Sequence, residues 1–451
     1  MEHNVFHSLK IIIFLYLCNQ FHITIIAIMH NINYISAEEA LQLVHSGDSL
    51  HWSCVSGAPE YLIETLVARG RRGELHDVHI SHLYTEGYSD YVLPEFQGIF
   101  KLDSFFVGGN VRKATQSGLA GFIPCSLSET SRMIRSGARR CDGVLLMVSE
   151  PDDEGYVSLG GWVDYMPACI ERARYVIAQV NKHVPYCYGD ARIPLSKITA
   201  WVRHDAPLKE AAPLPISETD IAIGRHAAAL IPDGATLQIG IGNIPTAVLA
   251  QLGDHKNLGI HSEMFTDDVV PLIEKGVING CLKHTDPGKQ VAMFLKGGHQ
   301  LYDFVDHNPD VLINDVWYTN SPAVIASNPK VVALNSAIEI DLSGQVCADS
   351  IGTKIFSGSG GQLDFMIGAT YSEGGIPIIA LSSITNKGVS KIVPTLTPGA
   401  GVVTPRTLVQ WVVTEYGAVN LYGKSLDERA ELLISIAHPS QRDLLRQSLK
   451  K

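Results

Sequence analysis

Residues 235–268 read ATLQIGIGNIPTAVLAQLGDHKNLGIHSEMFTDD. Ala235–Ile239 has the apolar run of a buried strand. It stops at Gly240-Ile241-Gly242-Asn243-Ile244-Pro245, after which Thr246–Leu252 reads as a helix. A second strand is expected over Leu258–His261, ending directly at Ser262-Glu263. Strand, glycine turn, helix and strand in succession are the parts of a parallel α/β sheet. In such sheets ligands sit outside the carboxyl ends of the strands. Gly240 and Gly242 allow close backbone approach to a ligand, and the helix N-terminus behind them favours negative charge. A lone G-x-G-x-x-P turn is weak evidence, because many βα turns look like it. Its conjunction with a carboxylate at the neighbouring strand end is more specific. Further on, Gly358-Ser359-Gly360-Gly361 opens a second such loop. A carboxylate between two loops that expose N–H groups points to a carboxylate nucleophile.

Outward from this stretch the same alternation continues. Ser49–Ser53, Val78–Leu83, Phe105–Val107 and Val144–Val148 read as strands and Glu60–Arg69 as a helix, which implies βαβ units and a mostly parallel sheet. Gly108-Gly109-Asn110 reads as a strand-to-helix turn. Residues 205–219, DAPLKEAAPLPISET, carry Pro207, Pro213 and Pro215 and read as a linker. Ser217 then caps a helix over Glu218–Leu230, opening a second domain. Asp267 and Asp268 precede Val269–Lys275 and are read as helix N-terminal acids rather than as a carboxylate pair with Glu263. His76, His79 and His82 fall on one strand, where His79 faces away from the other two, so they are read as structural. The acidic turn Pro151–Gly160 is read as solvated, and no metal site is expected.

At 451 residues the chain exceeds one typical core. Its 46% hydrophobic and 18% charged residues with 40 Gly fit a globular α/β protein. A net charge of −11 opposes broad nucleic-acid binding, which needs a basic surface. The eight cysteines include no C-x-x-C pair and read as free thiols in a reducing compartment.

Residues 1–34 stand apart. Ile11–Met29 is apolar but interrupted by Asn19, Gln20 and His22. A signal segment, a membrane anchor and an upstream extension with Met29 as the functional start all compete. The extension is preferred, because Ser36 and Glu39 form the N-cap and N3 signal of a helix that begins a soluble domain. The anchor reading stays open, and a mature N-terminal sequence decides between them.

The runs HSEMFTDDVVPLIEKGVI (261–278), FLKGGHQLYDFVDHNPDV (294–311) and NSAIEIDLSGQVCADSIG (335–352) are individually specific. So are SGSGGQLDF (357–365), TPGAGVVTPRT (397–407), VVTEYGAVNLYGKS (412–425) and RAELLISIAHPSQRDLL (429–445). Together they resemble the acetyl-CoA hydrolase/transferase family, within it the 4-hydroxybutyrate and butyryl CoA-transferases, over about residues 35–451. The resemblance implies two tandem open-sheet α/β domains of the CoA-transferase (ribose-5-phosphate isomerase-like) type, residues 35–212 and 213–451, with the site in their cleft. It implies ping-pong transfer through a glutamyl-CoA thioester on Glu263, with Gly360 or Gly361 as the backbone oxyanion donor and Asn335 at the acyl group. Gly240, Gly242, Asn243, Ile244 and Pro245 match the segment beside the thioester. Gly358, Glu415 and Lys424 lie in segments expected near the site or CoA. Coenzyme A is then a substrate, no cofactor is bound permanently, and the partners are acyl-CoA and short-chain carboxylic acids.

The resemblance further implies a homo-oligomer, in the cytoplasm or, in a eukaryote, the mitochondrion. Two departures from the family pattern, in SLHWSCVSGAPEYL (49–62) and VVTPR (402–406), bear on acyl preference and leave the nucleophile untouched. Hydrolysis by the same intermediate is the alternative reading, and a non-catalytic metabolite sensor of the same fold is a remote one.

Overall fold

In the computed structural model, residues 32–212 and 215–449 are described. The apolar run 11–29 lies outside them, and no helix among the described residues is long and apolar enough to cross a membrane.

The first half builds a seven-stranded, all-parallel sheet. Its strands are β1 (Ser49–Trp52), β2 (Val78–Ser81), β3 (Phe100–Ser104), β4 (Gly121–Phe122), β5 (Gly143–Val148), β6 (Tyr175–Val180) and β7 (Ala200–Arg203), in the order β4-β3-β2-β1-β5-β6-β7. Every residue of β5 and β6 is buried, as continuous apolar runs in central parallel strands must be. The helix Glu60–Arg71 turns Leu62, Ile63, Leu66 and Val67 inward and ends on Arg69 and Arg71, which suit its negative C-terminus. The strand order reverses between β1 and β5, so the segment leaving β1, Ser53-Cys54-Val55, sits at the topological switch point.

The second half repeats the plan with six strands. These are β8 (Thr236–Ile239), β9 (Gly259–Ile260), β10 (Val331–Ser336), β11 (Ile376–Ala380), β12 (Trp411–Thr414) and β13 (Gly417–Asn420), in the order β9-β8-β10-β11-β12-β13. Only the edge pair β12–β13 is antiparallel, a hairpin that closes the sheet on one side. The two tandem open-sheet domains expected from the resemblance are present. Each keeps a cluster of its own, around Leu50 and Ile177 in the first half and around Ile379 and Val412 in the second, but a further apolar cluster runs from Val144 and Leu146 on β5 to Leu237 and Ile239 on β8 and on to Phe294. Backbone bonds join the halves as well. Leu295 N–H donates to the Gly161 carbonyl (2.8 Å), and Ile313 N–H to the Tyr188 carbonyl (2.9 Å).

Several expectations need correction. Phe105–Val107 is not a strand. The strand is β3, whose alternating Phe100-Lys101-Leu102 buries one face, while Phe105–Val107 is a connection buried against the other half, with Val107 N–H on the Ser357 carbonyl (3.0 Å). The helix expected from Thr246 starts at Asn243, because Pro245 is tolerated in a first turn. Asp267 and Asp268 do open a helical turn, but neither caps it. Asp267 accepts instead from Gly298 N–H (2.9 Å) and Leu301 N–H (3.2 Å) at the start of the helix His299–Val305, and Asp268 accepts from the Thr246 hydroxyl (2.6 Å).

Ser217 closes a capping box with Asp220 on the helix Glu218–Ala228, and no regular element lies between Arg203 and Ser217 among the described residues. His82 is buried, stacked on Trp52 and bonded to the Tyr91 hydroxyl, whereas His79 is partly exposed beside Asp77. Among the described residues no three His, Cys, Asp or Glu side chains are grouped to hold a metal.

Candidate active site

Chain direction alone delivers Glu263 to the edge of the second sheet. After β9 the chain is pinned by Ser262, whose N–H donates to the Val291 carbonyl (3.0 Å) and whose hydroxyl donates to the Ile239 carbonyl (3.2 Å). The Glu263 carbonyl then accepts from both Met293 and Phe294 N–H (3.1 Å each). Met264–Phe265 leaves the main sheet and pairs in parallel with Phe294–Leu295. The backbone on both sides of the carboxylate is therefore fixed, which is what a positioned nucleophile requires.

The carboxylate faces a short list of groups. The Asn320 amide donates to Glu263 Oε2 at 3.0 Å. Burial pushes the Glu263 carboxyl up to about 7; the Asn320 amide and the Gly361 N–H pull it down, and the nearby Asp364 carboxylate adds to the rise. Asp364 is itself raised to about 6, chiefly by burial, although Ser128 N–H (3.1 Å) and hydroxyl (2.7 Å) bind it and the Asn320 amide also acts on it. Asn320 thus stands between the buried Asp364 and the half-buried Glu263 and favours the ionised form of the latter. Part of the Glu263 side chain opens on a cavity, so a reacting carbonyl can reach it.

The loop Gly358–Gly361 closes over this group from the far side. A Cβ on Gly361 would overlap both the Glu263 carboxylate and the Asn320 amide, so a side chain there must displace one or both. Gly360 adopts φ +57°, a left-handed conformation natural to glycine. The loop is held from the opposite half: the Ser359 hydroxyl donates to the Cys125 carbonyl (2.6 Å), and Leu127 N–H donates to the Gly360 carbonyl (3.3 Å). Gly358 packs against Phe105 and Phe106.

The first glycine loop behaves differently. Nothing lies within 4 Å of where a side chain on Gly240 or Gly242 would project, and Gly242 has φ +113°. The loop borders open space beside Ile241, which lines the same cavity as Glu263. Asn243 faces inward, its amide on the Pro215 carbonyl (2.9 Å) and Asp220 (3.2 Å), while Ile244 is partly buried and Pro245 buried in the first turn of the helix.

Of the other expected site residues, Asn335 is the penultimate residue of β10 and donates to Gln238 Oε1 at 2.9 Å; the residue bonded to Glu263 is Asn320. Glu415 spends both oxygens on Ser383, from its N–H (2.9 Å) and its hydroxyl (2.6 Å). Lys424 follows β13, where Asn420 pairs with Trp411 at the start of β12. Its position is at the amino end of the parallel strands and at the sheet edge opposite β9, five strand spacings or roughly 24 Å across. It is set apart from Glu263. Asn320 was missed because it ends a one-turn helix, Val316–Thr319, in a run without motif or periodicity.

The cavity has a volume of about 210 Å³. Cys54, Val55, Leu83, Tyr84, Phe106 and Leu127 line it from the first half. Ile241, Glu263, Met264, Met293, Phe294 and Lys296 line it from the second. Burial pushes the Cys54 thiol well above its usual range, so it is an inert wall and no rival to Glu263. An apolar chamber with one ionisable carboxylate and backbone donors at its edge suits attack on a small, uncharged carbonyl group.

Comparison with known proteins agrees with this geometry. The family model described as the acetyl-CoA hydrolase/transferase N-terminal domain matches residues 30–212, and the corresponding C-terminal model matches residues 297–449. A succinyl-CoA:acetate/propanoyl-CoA:succinate CoA transferase of Fasciola hepatica is 45% identical over 91% of this chain and 86% of its own length. The 4-hydroxybutyrate coenzyme A transferase of Clostridium kluyveri is 44% identical over 92% of this chain and 97% of its own. Among solved structures, RipA from Yersinia pestis superposes with a TM-score of 0.88 at 33% identity, covering 94% of this chain and 98% of that one. A 4-hydroxybutyrate CoA-transferase from Porphyromonas gingivalis gives 0.79 at 36%, covering 92% and 97%. Matched along both halves in sequence and in fold, the chain belongs to the acetyl-CoA hydrolase/transferase family.

Proposed function

We propose that this chain is a CoA-transferase that moves coenzyme A from a short-chain acyl-CoA to a carboxylic acid through a thioester on Glu263. The observation that carries the reading is the carboxylate itself: buried, fixed by its backbone, donated to by Asn320 and Gly361, and open to a chamber of acyl size. Glu263 attacks the thioester carbonyl, forming a mixed anhydride and releasing CoA thiolate. The thiolate attacks the glutamyl carbonyl of that anhydride, giving the glutamyl-CoA thioester and the free acid. A second carboxylate attacks this thioester and expels the thiolate, which takes the new acyl group and restores Glu263. Every nucleophile is an anion, so no proton needs to move. Each addition develops an oxyanion, and an N–H from the Gly358–Gly361 loop lowers such a barrier by about 3–4 kcal/mol. Coenzyme A is a substrate here, and the chemistry calls for no resident cofactor.

The test is to incubate the purified protein with acetyl-CoA and no acceptor, reduce with borohydride, and map the modified peptide by mass spectrometry. Reduction of the thioester converts Glu263 to its alcohol, and Glu263→Ala abolishes both the mark and acyl exchange. Binding of CoA with no marked residue sinks the reading. Release of acetate from acetyl-CoA without acceptor, at the rate of exchange, would favour the hydrolase instead. The resemblance extends to a homo-oligomer, which sedimentation of the full chain tests.

A further inference from the structure

The chamber has a second end. Lys296 lines it, follows the strand Phe294–Leu295, and is bound by the other half of the molecule. Its ammonium donates to the Tyr84 hydroxyl at 3.0 Å and to the Glu86 carboxylate, and it lies 4.7 Å from the centre of the Tyr84 ring. The Tyr84 hydroxyl in turn donates to Glu86. Burial opposes the charge on Lys296, but the bonds to Glu86 and Tyr84 outweigh it and hold the ammonium above its usual range; Glu86 is held below its own. The pair is therefore ionised at neutral pH and balanced in charge.

An ammonium has three N–H donors, and two are used among the described residues. The remaining donor belongs to a side chain on the wall of an otherwise apolar chamber. Register sets the spacing of the two backbones. Glu263 precedes the strand Met264–Phe265, and Lys296 follows its parallel partner Phe294–Leu295. The two residues are three positions apart along the paired strands, about 10 Å of strand rise. Both side chains line the one chamber, so a short acyl chain with its carboxyl carbon at Glu263 extends its far end toward Lys296.

We infer that Lys296, oriented by Tyr84 and Glu86, is a specificity-determining residue that donates a hydrogen bond to a neutral oxygen at the far end of a short acyl chain. A distal carboxylate is disfavoured, because Glu86 already neutralises the ammonium and would repel a second anion. A plain alkyl end offers the third donor no acceptor, which costs binding relative to an end that carries one. This inference rests on the transferase reading, and its test separates the two.

Acetyl-CoA serves as donor, with 4-hydroxybutyrate, butyrate and succinate as acceptors, and product acyl-CoAs are resolved by chromatography. The wild type favours 4-hydroxybutyrate over both others in kcat/KM. Lys296→Met reduces the 4-hydroxybutyrate-to-butyrate ratio by roughly 10- to 100-fold, the range for a hydrogen bond to a charged group, and Lys296→Arg restores part of it. Because Lys296→Met strands Glu86, the charge-balanced double variant Lys296→Met/Glu86→Gln is measured beside it and shows the same loss of ratio. A ratio unchanged in the folded double variant overturns the inference, as does a wild type that prefers succinate. Absence of exchange with every acceptor instead overturns the transferase reading.

Discussion

The two glycine loops use the same residue for opposite reasons. Gly240 and Gly242 face empty space, and a side chain there meets no protein atom. Gly361 lies hard against the Glu263 carboxylate and the Asn320 amide, and Gly358 against Phe105 and Phe106. The first loop is open so that something outside the protein can come close. The second is closed because the protein itself comes close. The shared residue type thus conceals one loop that leaves room beside it and one that leaves none.

That contrast breaks most sharply under substitution. Gly361→Ala displaces the carboxylate or its Asn320 donor, and acyl exchange falls by ~10³-fold or more, the scale of losing a transition-state donor. Gly240→Ala leaves kcat within about threefold and registers in the KM for CoA, the mark of lost uniform binding. Steady-state kinetics on both variants, with thermal melts to confirm folding, decide it. Equal losses at the two positions would erase the distinction.

A second test concerns the cost of the closed side. The folded pKa of Glu263 is about 7, above an unfolded value near 4.5. The native state therefore holds its proton longer, and this group's contribution to stability declines as pH rises from about 4.5 to 7, then stays level. Glu263→Gln keeps the shape and removes the charge, so it stabilises the protein by about 2–3 kcal/mol at pH 8 and by almost nothing at pH 4. Urea unfolding at the two pH values measures the gap. A gap independent of pH would locate the gain in packing.

The smallest effect is at Asn320. Wild-type exchange falls about tenfold per unit below pH 7 as Glu263 takes up its proton. Asn320→Ala removes a donor that favours the ionised form, so the midpoint moves to higher pH. At pH 6.5 the variant loses about tenfold more activity than at pH 9. A pH–rate profile with an unmoved midpoint would reduce Asn320 to a packing role.

Much of this was readable from residues close together in the chain. Glu263 stood out because the strand end and the carboxylate are adjacent in sequence, and β5 because its continuous apolar run suits a buried central strand; the equally buried β6 was not read as a strand. What failed depended on contacts across the molecule. Phe105–Val107 looked like a strand because burial at an interface produces the same apolar run as burial in a sheet. Asp267 looked like a cap for its own helix and serves one that starts about thirty residues on. Asn320 is 57 positions from the carboxylate it serves. Lys424 lies in a motif that is specific to the family, yet the reversal of β13 turns it to the other end of the sheet.

The apolar cluster that the two sheets share bears on how such a protein can be made and taken apart. Each half has an apolar cluster of its own, yet neither completes the shared one, to which Val144 and Leu146 of β5 and Leu237 and Ile239 of β8 all belong. Severed polypeptides ending and starting near residue 212 would each display greasy surface and clump when produced alone. Produced in the same cell, they would find one another and restore an active pair, because the bonds that hold the Gly358–Gly361 loop from the first half, Leu127 N–H to the Gly360 carbonyl and the Ser359 hydroxyl to the Cys125 carbonyl, are not covalent.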